Sequence, residues 1–177
     1  MSLSNISNVR AMQGRWDEAI KLAQQALDIM IAAHGPTHPD VALGEQNLGE
    51  LMLETGRARE ALQLEQRAVE AYEKSVGKET PALAEPLTAM GESWLALGTP
   101  RSALAPLERA LVLREKNPGA VGEPSTRFAL ARALWLTGGD RGRARKLAAQ
   151  AREGYAKAGN SKKKELGEVD AWLAKHP

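Results

Sequence analysis

His34 and His38 stand four residues apart, the interval at which two imidazoles on one helix face can share a metal ion. Gly35 and Pro36 lie between them, and neither a third histidine nor a nearby acidic ligand completes the set. Forty-two residues on, their places are taken by Val76 and Thr80. The pair is therefore expected to serve loop structure and helix capping, and no metal is expected. Gly138-Gly139-Asp140-Arg141-Gly142-Arg143 is a glycine-rich turn at a helix start, a place where phosphate can bind. It lacks the Gly-x4-Gly-Lys-Ser/Thr spacing of a nucleotide loop and any preceding strand. There is no cysteine, which excludes thiolate zinc sites, cysteine nucleophiles and disulfides. The three histidines lie near loops or the C-terminus, and no Ser-His-Asp arrangement can be nominated. No catalytic residue, cofactor or small-molecule substrate is expected, so the chain reads as a non-enzyme.

Charge is the next source of chemistry. The net charge of +2 divides into −4 over residues 1–120 (12 Lys/Arg, 16 Asp/Glu) and +6 over residues 121–177 (12 Lys/Arg, 6 Asp/Glu). Arg141, Arg143, Arg145, Lys146, Arg152 and Lys162–Lys164 make the basic end. Nucleic-acid binding would need such charges on one face, with aromatics to stack on bases. Here they are spread over two predicted helices, and Tyr155 and Trp172 are expected in the core, so nucleic acid is not an expected partner. No apolar run approaches the roughly 20 residues that span a bilayer, and no signal-peptide pattern opens the chain. No membrane partner and a cytoplasmic location are the expectations.

The elements that would position any site follow from periodicity. Aromatics make up 4% of 177 residues while Ala and Leu dominate the apolar set, which favours helix over strand. Gly14, Gly56 and Gly98 recur every 42 residues, as do Ala19, Ala61 and Ala103, and Ala26, Ala68 and Ala110. The connector obeys the same interval in Gly35, Gly77 and Gly119, and in Pro39 and Pro81; Leu48-Gly49 maps onto Met90-Gly91. A fourth copy, Leu130-Ala131, Gly138, Ala144 and Ala151, is slightly out of phase, with a doubled glycine in its turn. Each glycine follows a helical run and can take the left-handed conformation that ends a helix. The paired alanines lie two turns apart on one face, where small side chains let antiparallel helices approach. Thr37 or Asp40, and Thr80, are expected as caps or first-turn residues.

The pattern predicts helices near 3–13 and 16–33, 40–55 and 58–75, 81–97 and 100–116, and 124–137 and 140–157. A solitary helix near 161–175 would turn Leu166, Val169, Ala171, Trp172 and Leu173 inward and cap the array. Residues 1–177 read as one domain with repeats at about 1–37, 38–79, 80–121 and 122–158 and a capping helix at 160–176.

The order Leu-Gly, Gly, Ala, Ala resembles the tetratricopeptide repeat, and the 42-residue period with connectors such as His34-Gly35-Pro36-Thr37-His38-Pro39-Asp40 resembles its kinesin-light-chain-like branch. HEAT and armadillo arrays share the period but do not predict this Gly-Ala-Ala register. The resemblance covers about residues 3–157. It implies an all-α, right-handed superhelical solenoid of about four helix pairs plus a capping helix. Such repeats are also common in bacterial signalling proteins, including regions appended to Ser/Thr kinases. The chain departs from the pattern where a large aromatic is usual in mid-second helix: Ala23, Glu65 and Leu107 stand there instead.

In such arrays the first helix of each pair lines a concave groove that binds peptides or partner proteins. The resemblance places Asn5, Asn8, Gln46, Asn47, Glu50, Glu92, Arg132 and Trp135 on that face, with Leu43, Leu53, Glu85, Thr88, Leu95 and Phe128 alongside. For Phe128 and Trp135, packing between helices is the stronger expectation. Asn and Gln side chains can bond both N–H and C=O of an extended peptide; Glu50 and Glu92 would favour basic ligands, whereas Arg132 with Phe128 and Trp135 offers an anchor for an aromatic or acidic group. The two-lysine clamp for a terminal carboxylate, known in some of these domains, is not evident. The expected function is a protein-interaction scaffold or adaptor; the alternative is a regulatory C-terminal segment of a larger enzyme such as a bacterial Ser/Thr kinase. The Ile6, Val9 and Met12 face of the first copy has no upstream neighbour, which suggests both an excised segment and a homodimer formed through that face.

Overall fold

The structure, a computed structural model, describes residues 2–116 and 122–177. Their helices run α1 (Leu3–Met12), α2 (Trp16–His34), α3 (Pro39–Glu54), α4 (Ala58–Ser75), α5 (Ala84–Ala96), α6 (Pro100–Glu115), α7 (Glu123–Leu136), α8 (Arg141–Ala158) and α9 (Lys163–Lys175). Among the described residues there is no strand, and no helix is long and apolar enough to cross a membrane. The architecture is an all-α superhelical solenoid.

Turn chemistry sets the pairs. Gly14, Gly56, Gly98 and Gly138 each take φ between 69° and 78°, ending the first helix of a pair where another residue would be strained. The connector glycine at 119 lies outside the described residues. Each helix then packs on the next, and α3 also touches α5 and α5 touches α7, so the first helices form an inner row. Ala19, Ala61, Ala103 and Ala144, with Ala68, Ala110 and Ala151, are completely buried at the helix–helix seams.

His38 caps α3, in line with the loop and capping role expected of the histidine pair, and Asp40 stands in the first turn; Thr37 does not cap it. The Asp40 backbone N–H donates to Nδ1 of His38 at 3.1 Å, and the His34 ring stacks on His38 at 4.6 Å. Thr80 caps as expected, accepting from the Ala82 N–H at 3.4 Å. The chain then makes a 3-10 turn over Pro81–Leu83, and α5 starts at Ala84 rather than near residue 81. Pro86 explains this, because it has no N–H to donate to the carbonyl four residues back. Residues Gly159–Lys162 likewise form a 3-10 turn before α9.

Two close approaches tighten the middle pairs. A Cβ built on Gly91 would lie 2.3 Å from Cγ of Leu107, and one on Gly49 would lie 2.3 Å from Oε1 of Glu65. The two contacts are 42-residue copies of each other, with a leucine in one and a carboxylic acid in the other. At the far end, Val169 is completely buried against the α7–α8 cluster, which Leu166, Trp172 and Leu173 also join; Ala171 is exposed. The Trp172 ring meets Phe128 edge-on at 6.1 Å and Trp135 at 5.6 Å, and His176 stacks on Trp172 at 4.3 Å.

Candidate functional site

The inner row encloses a cleft of about 790 Å³. Its walls come from α3 through Gln46, Glu50, Leu53 and Glu54, from α5 through Glu85, Ala89 and Glu92, and from α7 through Pro124, Ser125, Phe128 and Arg132. Residues 46, 50 and 53 are spaced by four and three, so a single stripe of α3 faces inward. One end is closed by the last turns of α8, with Gly154, Tyr155 and Ala158, and by Lys162, Lys164, Glu165 and Glu168. Gly154 allows that closure: a Cβ there would lie 2.4 Å from Cγ of Pro124 at the start of α7.

Four of the eight residues expected on the groove meet in this cleft: Gln46, Glu50, Glu92 and Arg132. Four do not line it. Asn5 and Asn8 sit exposed on α1, in the first pair. Asn47 follows Gln46 by one residue and so points about 100° away around α3. Trp135 lies one turn beyond Arg132 and is drawn into the aromatic cluster with Trp172 and His176, with the guanidinium of Arg141 over its ring at 5.0 Å. Of the neighbouring positions, Leu53, Glu85 and Phe128 line the cleft, whereas Thr88 and Leu95 are buried and Leu43 is exposed. The contribution of α8 and α9 was not anticipated; the one signal for it was a glycine, Gly154, within the alanine-rich run of α8.

The cleft is predominantly acidic. Glu50, Glu54, Glu85, Glu92, Glu165 and Glu168 face Arg132, Lys162 and Lys164. Glu50 accepts a hydrogen bond from Nε2 of Gln46 at 3.2 Å, and burial holds its carboxyl above the usual range. Burial pushes Glu92 up to about 7 against the opposing pull of Arg132. Glu85 is paired with the buried Arg114, whose Nε donates to Thr126 at 2.8 Å; Thr126 lies 2.8 Å from Thr88. This network ties α5, α6 and α7 together beneath the cleft. At the closed end Lys162 donates to Glu165 at 2.7 Å and holds that carboxyl below its usual range.

Comparison with known proteins gives the same architecture. Residues 1–74 match the family model described as the tetratricopeptide repeat. No curated protein sequence matches the chain. Among solved structures, BtubC from P. vanneervenii superposes with a TM-score of 0.76 at 19% identity, over 89% of this chain and 63% of its own. This chain thus spans less than two thirds of that protein. A putative kinesin light chain from Podosopora anserina with nearly identical TPR-like repeats gives a TM-score of 0.76 at 21% identity, over 99% of this chain and 83% of its own. The Rap conjugation gene regulator of the plasmid pLS20, solved in complex with the Phr* peptide, gives 0.70 at 15% identity, over 92% and 45%. The fold is therefore that of a tetratricopeptide-like solenoid.

Proposed function

We propose that this solenoid is a protein-interaction scaffold whose concave cleft receives an extended peptide or a segment of a partner protein. The observation that carries this reading is the convergence of Gln46, Glu50, Glu92 and Arg132, from three successive inner helices, on one cleft of about 790 Å³. An amide that both donates and accepts, flanked by carboxylates and a guanidinium, suits the alternating N–H and C=O groups and the side chains of an extended chain. A peptide complex is known for a protein of similar fold, the Rap regulator, and supports the reading by analogy. The scaffold would work equally as a free adaptor or as the regulatory segment of a larger enzyme.

The test is capture from a lysate of the source organism, wild type beside the Gln46→Ala/Glu50→Ala variant, with helicity matched by circular dichroism. A protein retained by wild type and lost by the variant supports the cleft as the site. Equal retention of the same partners by both overturns it.

A further inference from the structure

His38 caps α3 with an imidazole, whereas Thr80, its copy one repeat later, caps with a hydroxyl. The two caps differ in one chemical respect. A hydroxyl keeps its lone pairs at any ordinary pH, but an imidazole nitrogen accepts a hydrogen bond only while it carries no proton. Nδ1 of His38 accepts the Asp40 backbone N–H at 3.1 Å, so the capping ring must be neutral with its proton on Nε2.

A second partner lies beside the same nitrogen. The Asp40 carboxylate Oδ2 is 3.6 Å from Nδ1 of His38. While the ring is neutral these two atoms face each other as acceptors with no proton to share. Once Nδ1 is protonated it becomes a donor that the carboxylate accepts, and the Asp40 N–H loses its acceptor. The new positive charge also sits at the N-terminus of α3, the end of a helix that disfavours cations.

The His34 ring, in the last turn of α2, stacks on His38 with centroids 4.6 Å apart and planes inclined by 24°. Two neutral imidazoles can hold that stack, whereas two imidazolium rings at the same distance repel. His34 and Asp40 are exposed and His38 partly so, which leaves all three open to protons from solvent. The connector residues Gly35, Pro36 and Thr37 carry no charge. From α4, Tyr72 faces Asp40; burial, and then that carboxylate, push its phenol up, so it stays neutral.

We propose that the α2–α3 junction is an acid-operated joint: as pH falls, His38 exchanges the Asp40 backbone N–H for the Asp40 carboxylate, α3 loses its cap, and the His34 stack opens. Histidine is the side chain whose charge ordinarily changes between about pH 5 and 8. The α4–α5 junction has Val76 and Thr80 at the matching places, so its cap has no such response. Acid thus loosens the junction that joins α1 and α2 to the α3 wall of the cleft, and leaves the next junction as it was.

The experiment is an NMR titration of the full chain between about pH 8 and 5. At about pH 8, His38 is expected as the Nε2–H tautomer, with a scalar coupling from Nδ1 to the Asp40 amide nitrogen across the hydrogen bond. On acidification that coupling is expected to vanish, and the Asp40 carboxyl carbon to shift in step with the His38 ring. Ring-current shifts between His34 and His38 collapse over the same range. The Asp40 amide is expected to exchange about fivefold faster, after correction for the intrinsic effect of pH, as loss of an ordinary cap would give. The Ala82 amide, held by Thr80, is the internal control and keeps its protection. His38→Thr installs the Thr80 solution and is expected to keep Asp40 capped throughout, with no acid response. An Nδ1–H tautomer at about pH 8, an Asp40 amide that follows Ala82, or an acid response that survives His38→Thr overturns the joint.

Discussion

Replacing Glu65 with leucine is expected to stabilise the protein, and the size of the effect follows from its surroundings. Burial, reinforced by repulsion from Glu50, Glu85 and Glu92, pushes the Glu65 carboxyl up to about 10, so it is neutral in the folded chain at pH 7. In the unfolded chain it ionises near its ordinary 4.5. Each pH unit between 4.5 and 7 then costs about 1.36 kcal/mol, or about 3.4 kcal/mol in all. Residual burial in the unfolded chain brings this to about 2–3 kcal/mol. Leucine also suits the space: Leu107 makes the same approach to Gly91, with the same 2.3 Å to an ideal Cβ. Because the folded value is raised, this cost is absent below about pH 4.5, and wild-type stability falls as pH rises from there toward 10, so the advantage of leucine grows over the same range. Glu92 acts with the same sign only up to about 7, so the interval from pH 7 to 9 isolates Glu65. Urea unfolding followed by circular dichroism and tryptophan fluorescence, with coincident transitions as the check on two-state behaviour, measures it. Wild type is expected to lose about 2–3 kcal/mol between pH 7 and 9 that Glu65→Leu does not lose. Wild-type stability that is flat over that interval, or a Glu65→Leu variant weaker than wild type at pH 8, would refute the assignment of a buried neutral acid.

Gly91→Ala places a methyl group inside the Leu107 side chain and is expected to destabilise by about 1–3 kcal/mol, read as a lowered urea midpoint. Leu107→Ala in the same background should recover part of that loss. Trp172→Ala removes the ring that Phe128, Trp135 and His176 all contact; α9 is expected to detach, with faster hydrogen exchange over residues 163–175 and little change in α3–α5.

The repeat was legible because each marker answers one local demand. A left-handed turn needs glycine at 14, 56, 98 and 138, and a close seam needs alanine seven residues apart. Helix ends were harder to read: histidine, threonine and aspartate were all candidates at the start of α3, where His38 caps and Asp40 takes the first turn, and Pro86 delays α5. In the cleft, Gln46, Glu50, Glu92 and Arg132 were implied by the resemblance, carried over repeat by repeat onto the first helix of each pair. Asn47 shows the limit of that inference, since one residue rotates a side chain by about 100°. Trp135 packs between helices, its stronger expectation, but its partner rings Trp172 and His176, about forty residues away in sequence, could not be read in advance. Glu65 could be seen as a polar residue in an apolar slot, but only the paired Gly49 shows where its carboxyl goes. The α8–α9 wall has no periodic signature, because those turns meet α7 by tertiary packing alone.

If ligand enters the inner row, hydrogen exchange of the chain with and without a captured partner will register it there. Added protection is expected in α3, α5 and α7 around residues 46–54, 85–92 and 124–132, with α2, α4 and α6 unchanged. Protection confined to α2, α4 and α6, or to the basic face of α8, would place the ligand elsewhere and contradict entry through the inner row.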